Sequence, residues 1–132
     1  MTYPGSKQPL VDYDAPPAGA TYLDALLGEP YKTLNYRGVA TDFYSIGSLA
    51  RALNRSPVTI RKWESKGVIP QPDVADPAHA RVLGGQVRLY TREQIAGLRR
   101  IAAEEGILDE TWKAVRHTNF TERAYELFKE DQ

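Results

Sequence analysis

The stretch NRSPVTIRKWESKGVIP, Asn54 to Pro70, decides how the rest of the chain is read. Asn54 tolerates left-handed backbone and competes with a helix for its hydrogen bonds, so it marks a break. Ser56 is a good N-cap, Pro57 suits a first helical position where no N–H is needed, and Gly67 is placed for a C-terminal stop. Between them lies one short helix. Val58, Trp63 and Ile60 are expected to face inward, leaving Arg55, Thr59, Arg61, Lys62 and Lys66 nearer solvent.

Immediately upstream, Ser45 can cap another helix in which Ile46, Leu49, Ala50 and Leu53 fall at i, i+3, i+4 and i+7, one apolar face. Two short helices joined by about three residues form the helix-turn-helix unit, whose second helix can enter a major groove. Downstream, Pro70, Pro72 and Pro77 exclude helix, and RVLGGQVRLY carries two β-prone runs around Gly84-Gly85, which predicts a hairpin wing. Thr91 with Gln94 three residues on reads as a capping box. Ile95, Leu98, Ile101 and Ala102 then carry an apolar stripe until Gly106 ends a third helix.

Charge supports the emphasis on this region. Between Phe43 and Ile101 ten basic residues stand against four acidic ones, an excess of six positive charges in a chain whose formal net charge is zero. Surface potential follows local charge, so a basic middle outweighs a neutral total. The flanks are less ordered in pattern. Residues 1–20 are rich in proline and glycine and read as a flexible arm. TYLDALLG is expected to form a helical turn or two capped by Thr21 and ended by Gly28 and Pro30. YKTLNYRGVATDFY, with β-prone residues either side of NYRG, suggests a small hairpin. Two helices, about 109–116 and 119–129, are expected in the tail. The second has Phe120, Ala124, Leu127 and Phe128 on one face, to be buried in this chain or against a partner. The division is thus an arm at 1–20, a short helix and hairpin at 21–43, the basic domain at 44–106 and a helical tail at 107–132.

Composition bounds the rest. At 132 residues, with 42% hydrophobic and 26% charged side chains, the chain fits one modest domain with extensions. No apolar run approaches the roughly 18 residues of a membrane span, and the N-terminus has neither a secretory nor a transit pattern, so a cytoplasmic location is expected. Cysteine is absent, which excludes disulfides, thiolate metal sites and cysteine nucleophiles. His79 and His117 are solitary, and no phosphate-cradling loop or Gly-x-Ser-x-Gly occurs, so neither metal, cofactor nor catalysis is expected.

YSIGSLARALNRSPVTIRKWESKGVIP followed by RLYTREQIAGLRRI resembles the winged helix-turn-helix of the MerR superfamily, in the subset found in phage regulators, excisionases and small terminase subunits. The resemblance covers about residues 44–102. It implies a mainly α fold with a small β-hairpin wing and DNA binding by the helix from Pro57 to Lys66. By that resemblance Arg61 is the phosphate-clamping arginine, Thr59 lies near base edges, and Arg88 is the wing's phosphate contact. Two departures stand out: only about 30 residues follow the third helix, too few for a long dimerisation helix and effector domain, and the insertion QPDVADPAHARVLGGQ is longer than a usual wing.

The candidate DNA-binding residues are therefore Arg55, Ser56, Thr59, Arg61, Lys62, Lys66, Arg81 and Arg88. Arg55 and Thr59, early on the second helix, are the expected base readers. Ser56 can cap and also meet a phosphate. Arg61, Lys62, Lys66 and the wing arginines Arg81 and Arg88 are phosphate contacts, against the bland alternative of a solvated surface. Trp63 and Tyr90 are expected in the core with their polar tips near the surface. The expected function is sequence-specific binding of double-stranded DNA as a phage-type transcriptional regulator. Recruitment of a terminase or excisionase kind, or a protein-interaction module, are the alternatives. A homodimer through the C-terminal helices is the expected assembly, with no membrane partner and no small-molecule effector.

Overall fold

In the computed structural model, residues 18–76, 87–108 and 114–130 are described. Among the described residues five α-helices accompany a small antiparallel sheet, in the order α1 Ala18–Leu27, β1 Lys32–Tyr36, β2 Val39–Tyr44, α2 Ile46–Ala52, α3 Pro57–Ser65, β3 Val74–Ala75, β4 Arg88–Thr91, α4 Arg92–Glu104 and α5 Phe120–Glu130. A 3-10 turn spans Val115–His117. The fold is the mainly α class with a small sheet, as expected. No helix among the described residues is long and apolar enough to cross a membrane.

The helix-turn-helix forms where the sequence places it. Asn54 takes φ +56° between α2 and α3. Ser56 caps α3, its Oγ accepting the Thr59 N–H at 3.2 Å, and Pro57 opens the helix. Gly67, at φ +77°, follows its end, a conformation that costs an L side chain strain. Ser45 holds the cap position of α2 with extended backbone, but its side chain makes no cap hydrogen bond. On α4 the capping box is complete: Thr91 Oγ1 accepts the Gln94 N–H at 3.1 Å, and Gln94 Oε1 accepts the Thr91 N–H at 2.9 Å.

The sheet order is β1-β2-β4-β3. β1 and β2 form the hairpin anticipated around NYRG, with Tyr36 opposite Val39. Its two-residue loop has φ +56° at Arg37 and +84° at Gly38, the signature of a type I′ turn whose twist matches the strands. β2 pairs with β4 through Phe43–Thr91 and Tyr44–Tyr90, which builds the hairpin into the same sheet as the wing. β4 also pairs with β3, Ala75 opposite Arg88 and Val74 opposite Leu89. The wing expectation is corrected here. Pairing about a tight Gly84-Gly85 turn would place Arg81 opposite Arg88, whereas the strand's partner is Val74–Ala75, and residues 77–86 form the connection outside the described residues. Asp76 pins this junction: it is 1% exposed, accepts from Tyr31 Oη at 2.8 Å, and pairs with Lys32 Nζ at 2.7 Å.

Leu23 and Leu27 of α1, Leu49 of α2 with Leu53 at its C-cap, Ile60 of α3, Ile95, Leu98 and Ile101 of α4 and Phe120 and Phe128 of α5 share one core with Tyr90 and Ile69. Four further expectations need correction. The first helix begins at Ala18, so Thr21 lies within it instead of capping it, and the arm expected over 1–20 keeps only residues outside the described part. Val58 is exposed, because Ile60 and Trp63 lie only about 60° apart around the helix while Val58 lies about 160° from Ile60. The described end of the helix expected at 109–116 is a 3-10 turn. The apolar face of α5 is buried in this chain: Phe120, Ala124 and Phe128 pack into the core and Leu127 lies against Gly97 of α4, so this face is not available as a dimer seam.

Candidate nucleic-acid interface

α3 presents two unlike sides. Ile60 is fully buried and Trp63 half-buried, its ring 5.7 Å from that of Phe120. The outward positions fall at 58, 61, 62 and 65, spaced i, i+3, i+4 and i+7, and carry Val58, Arg61, Lys62 and Ser65, all exposed. Lys66, at the C-cap, is exposed as well. This is a continuous basic stripe with an aliphatic residue at its N-terminal end.

The helix and the base of the wing come together at Glu64. Its carboxyl is pushed above the usual carboxylate range by burial, and the positive charges of Arg88 and Arg61 pull it back only in part. Glu64 Oε2 is buried with no hydrogen-bond partner among the described residues. Arg88, half-buried at the start of β4, and Arg61, exposed on α3, therefore bear on one spot. At the other end of α3, Ser56 Oγ and Thr59 Oγ1 lie 3.1 Å apart. Ser56 is exposed and Thr59 half-buried, its hydroxyl already engaged with the cap. Arg81 lies outside the described residues.

Arg55 does not point outward. Its guanidinium donates to the carbonyls of Leu53 (3.3 Å), Asn54 (3.1 Å), Ile107 (2.5 Å) and Leu108 (3.4 Å), and lies 5.7 Å from the Trp63 ring. It clamps the turn between α2 and α3 to the chain leaving α4, and desolvation lowers its pKa. Two other arginines act similarly. Arg51 donates to Leu26 O at 2.7 Å and Leu27 O at 3.0 Å, closing the end of α1, and Arg99 donates to Ala52 O at 2.6 Å, closing the end of α2. Arg92 pairs with Asp24 at 2.8 Å. The basic excess of the middle region is thus divided between carbonyl clamps, which satisfy orphan helix-end acceptors, and the outward stripe.

Val58 is the exposed residue of this stripe that the sequence reading placed in the core. Its signal was helical phase: Val58, Ile60 and Trp63 cannot share one face at 100° per residue. Trp63, half-buried, packs against the core. Tyr90 goes further than expected, being fully buried with its hydroxyl unpartnered among the described residues. No group of three or more potential metal ligands occurs among the described residues.

No curated protein and no solved structure matches the chain. Residues 44–107, from the end of β2 through both helix-turn-helix helices, the wing strands and α4, match the family model described as MerR HTH family regulatory protein, so this part of the chain is similar to the helix-turn-helix of that family.

Proposed function

We propose that this protein is a DNA-binding regulator that lays α3 in the major groove, with the base of the wing against the flanking backbone. The observation that carries the reading is the outward stripe of α3, where Arg61, Lys62 and Lys66 are exposed beside Arg88 in a segment of MerR type. Among the described residues, none of Arg61, Lys62 and Lys66 is drawn into a carbonyl clamp of the Arg55 kind. Cationic side chains on a groove-entering helix neutralise phosphates and release counterions, which supplies affinity and register. Ser56 and Thr59 sit at the helix start, where backbone and hydroxyl groups approach the phosphates. Arg81, in the wing connection, belongs to the same proposed footprint. Arg55 is left out of the base-reading set because its donors face the protein's own carbonyls.

The reading extends to a regulator of the phage type working in the cytoplasm. Its support is that α5 turns back onto α4 instead of prolonging it, unlike the long dimerisation helix of the classical activators. The test is selection of bound duplexes from a random pool at two salt concentrations. Enrichment of one sequence is expected. In a salt titration, Arg61→Ala with Lys62→Ala should lower the slope of log K against log salt by about two, near 0.9 per lost phosphate contact. An unchanged slope refutes the groove placement of α3. Salt-labile binding without enrichment favours recruitment of the terminase or excisionase kind, and absence of duplex binding favours a protein-interaction module.

A further inference from the structure

We infer that Val58 is a specificity residue that reads a thymine methyl group. This rests on the proposal that α3 enters the major groove. The five large hydrophobic side chains exposed among the described residues are Tyr22, Tyr31, Val39, Val58 and Tyr125. The three tyrosines have contacts that account for their position: Tyr22 lies under Arg99 (5.2 Å), Tyr31 donates to Asp76, and Tyr125 donates to Gly67 O at 3.0 Å. Val39 sits beside the β1–β2 turn. Val58 is 56% exposed at the second position of α3, where a β-branched residue is a weak helix former and contributes nothing to the core.

Its neighbours on the helix surface give that exposure a use. Val58 shares its stripe with Arg61 and Lys62, one turn further on, so a duplex held by those cations has the Val58 methyls at the end of α3 that reaches deepest into the groove. Valine has no donor or acceptor for a base edge. The apolar feature of the major groove is the C5-methyl of thymine, which distinguishes T·A from the other three pairs by apolar contact alone. Thr59 is half-buried with its hydroxyl 3.1 Å from Ser56 Oγ, so Val58 is the more exposed apolar group of the first turn.

Uracil differs from thymine only by that methyl, which gives a direct test. The selected duplex is resynthesised with each thymine replaced in turn by uracil, and binding is measured for the unaltered protein and for Val58→Ala. One replacement should weaken binding about four-fold, the value of one buried methyl at about 0.8 kcal/mol. Val58→Ala should show no further loss at that position. Alanine is the better helix former, so the variant is expected to fold. A uracil effect of equal size in both proteins overturns the inference, as does none at any thymine or a selected site lacking thymine. If the unaltered protein binds no duplex, the DNA reading falls first and this inference with it.

Discussion

Gly97 lies on the face of α4 that receives α5, and a Cβ built on it would stand 2.5 Å and 2.8 Å from the two Leu127 methyls and 3.2 Å from Leu127 Cγ. Two opposed effects decide what Gly97→Ala does. Inside a helix, alanine is favoured over glycine by about 1 kcal/mol. Against that, the contacts are well under van der Waals distance, so Leu127 must leave its rotamer, at about 0.5–1.5 kcal/mol. It would also give up part of its packing; since Leu127 is half-buried, about 1 kcal/mol of burial is at stake, roughly half that of a fully buried leucine. The net is a destabilisation of about 0.5–1.5 kcal/mol. With Leu127→Ala already in place the clash disappears, and Gly97→Ala should stabilise by about 1 kcal/mol. The sign of one substitution thus depends on the residue facing it. Urea unfolding of the single variants and the double variant measures both steps. Stabilisation by Gly97→Ala in both backgrounds would mean that α5 does not pack on α4 through this contact, and the tail would have to bury its apolar face elsewhere.

Glu64→Gln should tighten duplex binding, because it removes a negative charge beside Arg61 and Arg88; looser binding in a salt-matched titration would place that corner away from the DNA. Because the folded state holds the Glu64 proton more tightly than the unfolded chain, its contribution favours folding at low pH. That contribution is lost as pH rises from the unfolded value, about 4.3, through the raised folded one. The unaltered protein should accordingly show a fall in stability across that window that Glu64→Gln lacks. Arg55→Lys should destabilise by about 1.5–3 kcal/mol, since one ammonium cannot span the carbonyls that the guanidinium reaches, yet leave the selected sequence unchanged. A changed sequence preference would restore Arg55 as a base reader. Asp76→Asn should cost a similar amount in urea unfolding by leaving Lys32 without its buried counter-charge; an effect below about 0.5 kcal/mol would show that the junction of β1 with the wing is held by other contacts.

The helix-turn-helix was legible because its signals are local. A left-handed Asn54, a Ser56 cap followed by Pro57, and the Thr91–Gln94 box each depend on residues within one turn of the chain, and the hairpin at Arg37–Gly38 on a two-residue loop. What escaped depends on the partner that packing supplies. The phase of α3 could not be fixed from three apolar residues spread around the helix; the core took Ile60 and Trp63 and left Val58 outside. Arg51, Arg55 and Arg99 look identical in sequence to Arg61. Only the neighbouring ends of α1, α2 and α4 turn the first three into clamps for carbonyl groups. The wing strand β3 is two residues long and lies beyond residues 77–86 from its partner, so pattern favoured the nearer β-prone run. The fate of the α5 face was a choice between this chain and a partner, which periodicity alone leaves open.

The β1–β2 loop and the chain between β3 and β4 lie towards opposite ends of β4. Following β2 from Tyr44 back towards Val39 carries the Arg37–Gly38 loop past the end of β4 that feeds α4, while the wing connection departs from the end that begins at Arg88. The chain contains no cysteine, so Ala40→Cys, at an exposed position on the far hairpin, would introduce a unique thiol. A dye or surface tether attached there would stand away from the basic stripe of α3, giving single-molecule experiments a handle by which to hold or watch the protein while the face proposed to meet the duplex stays open.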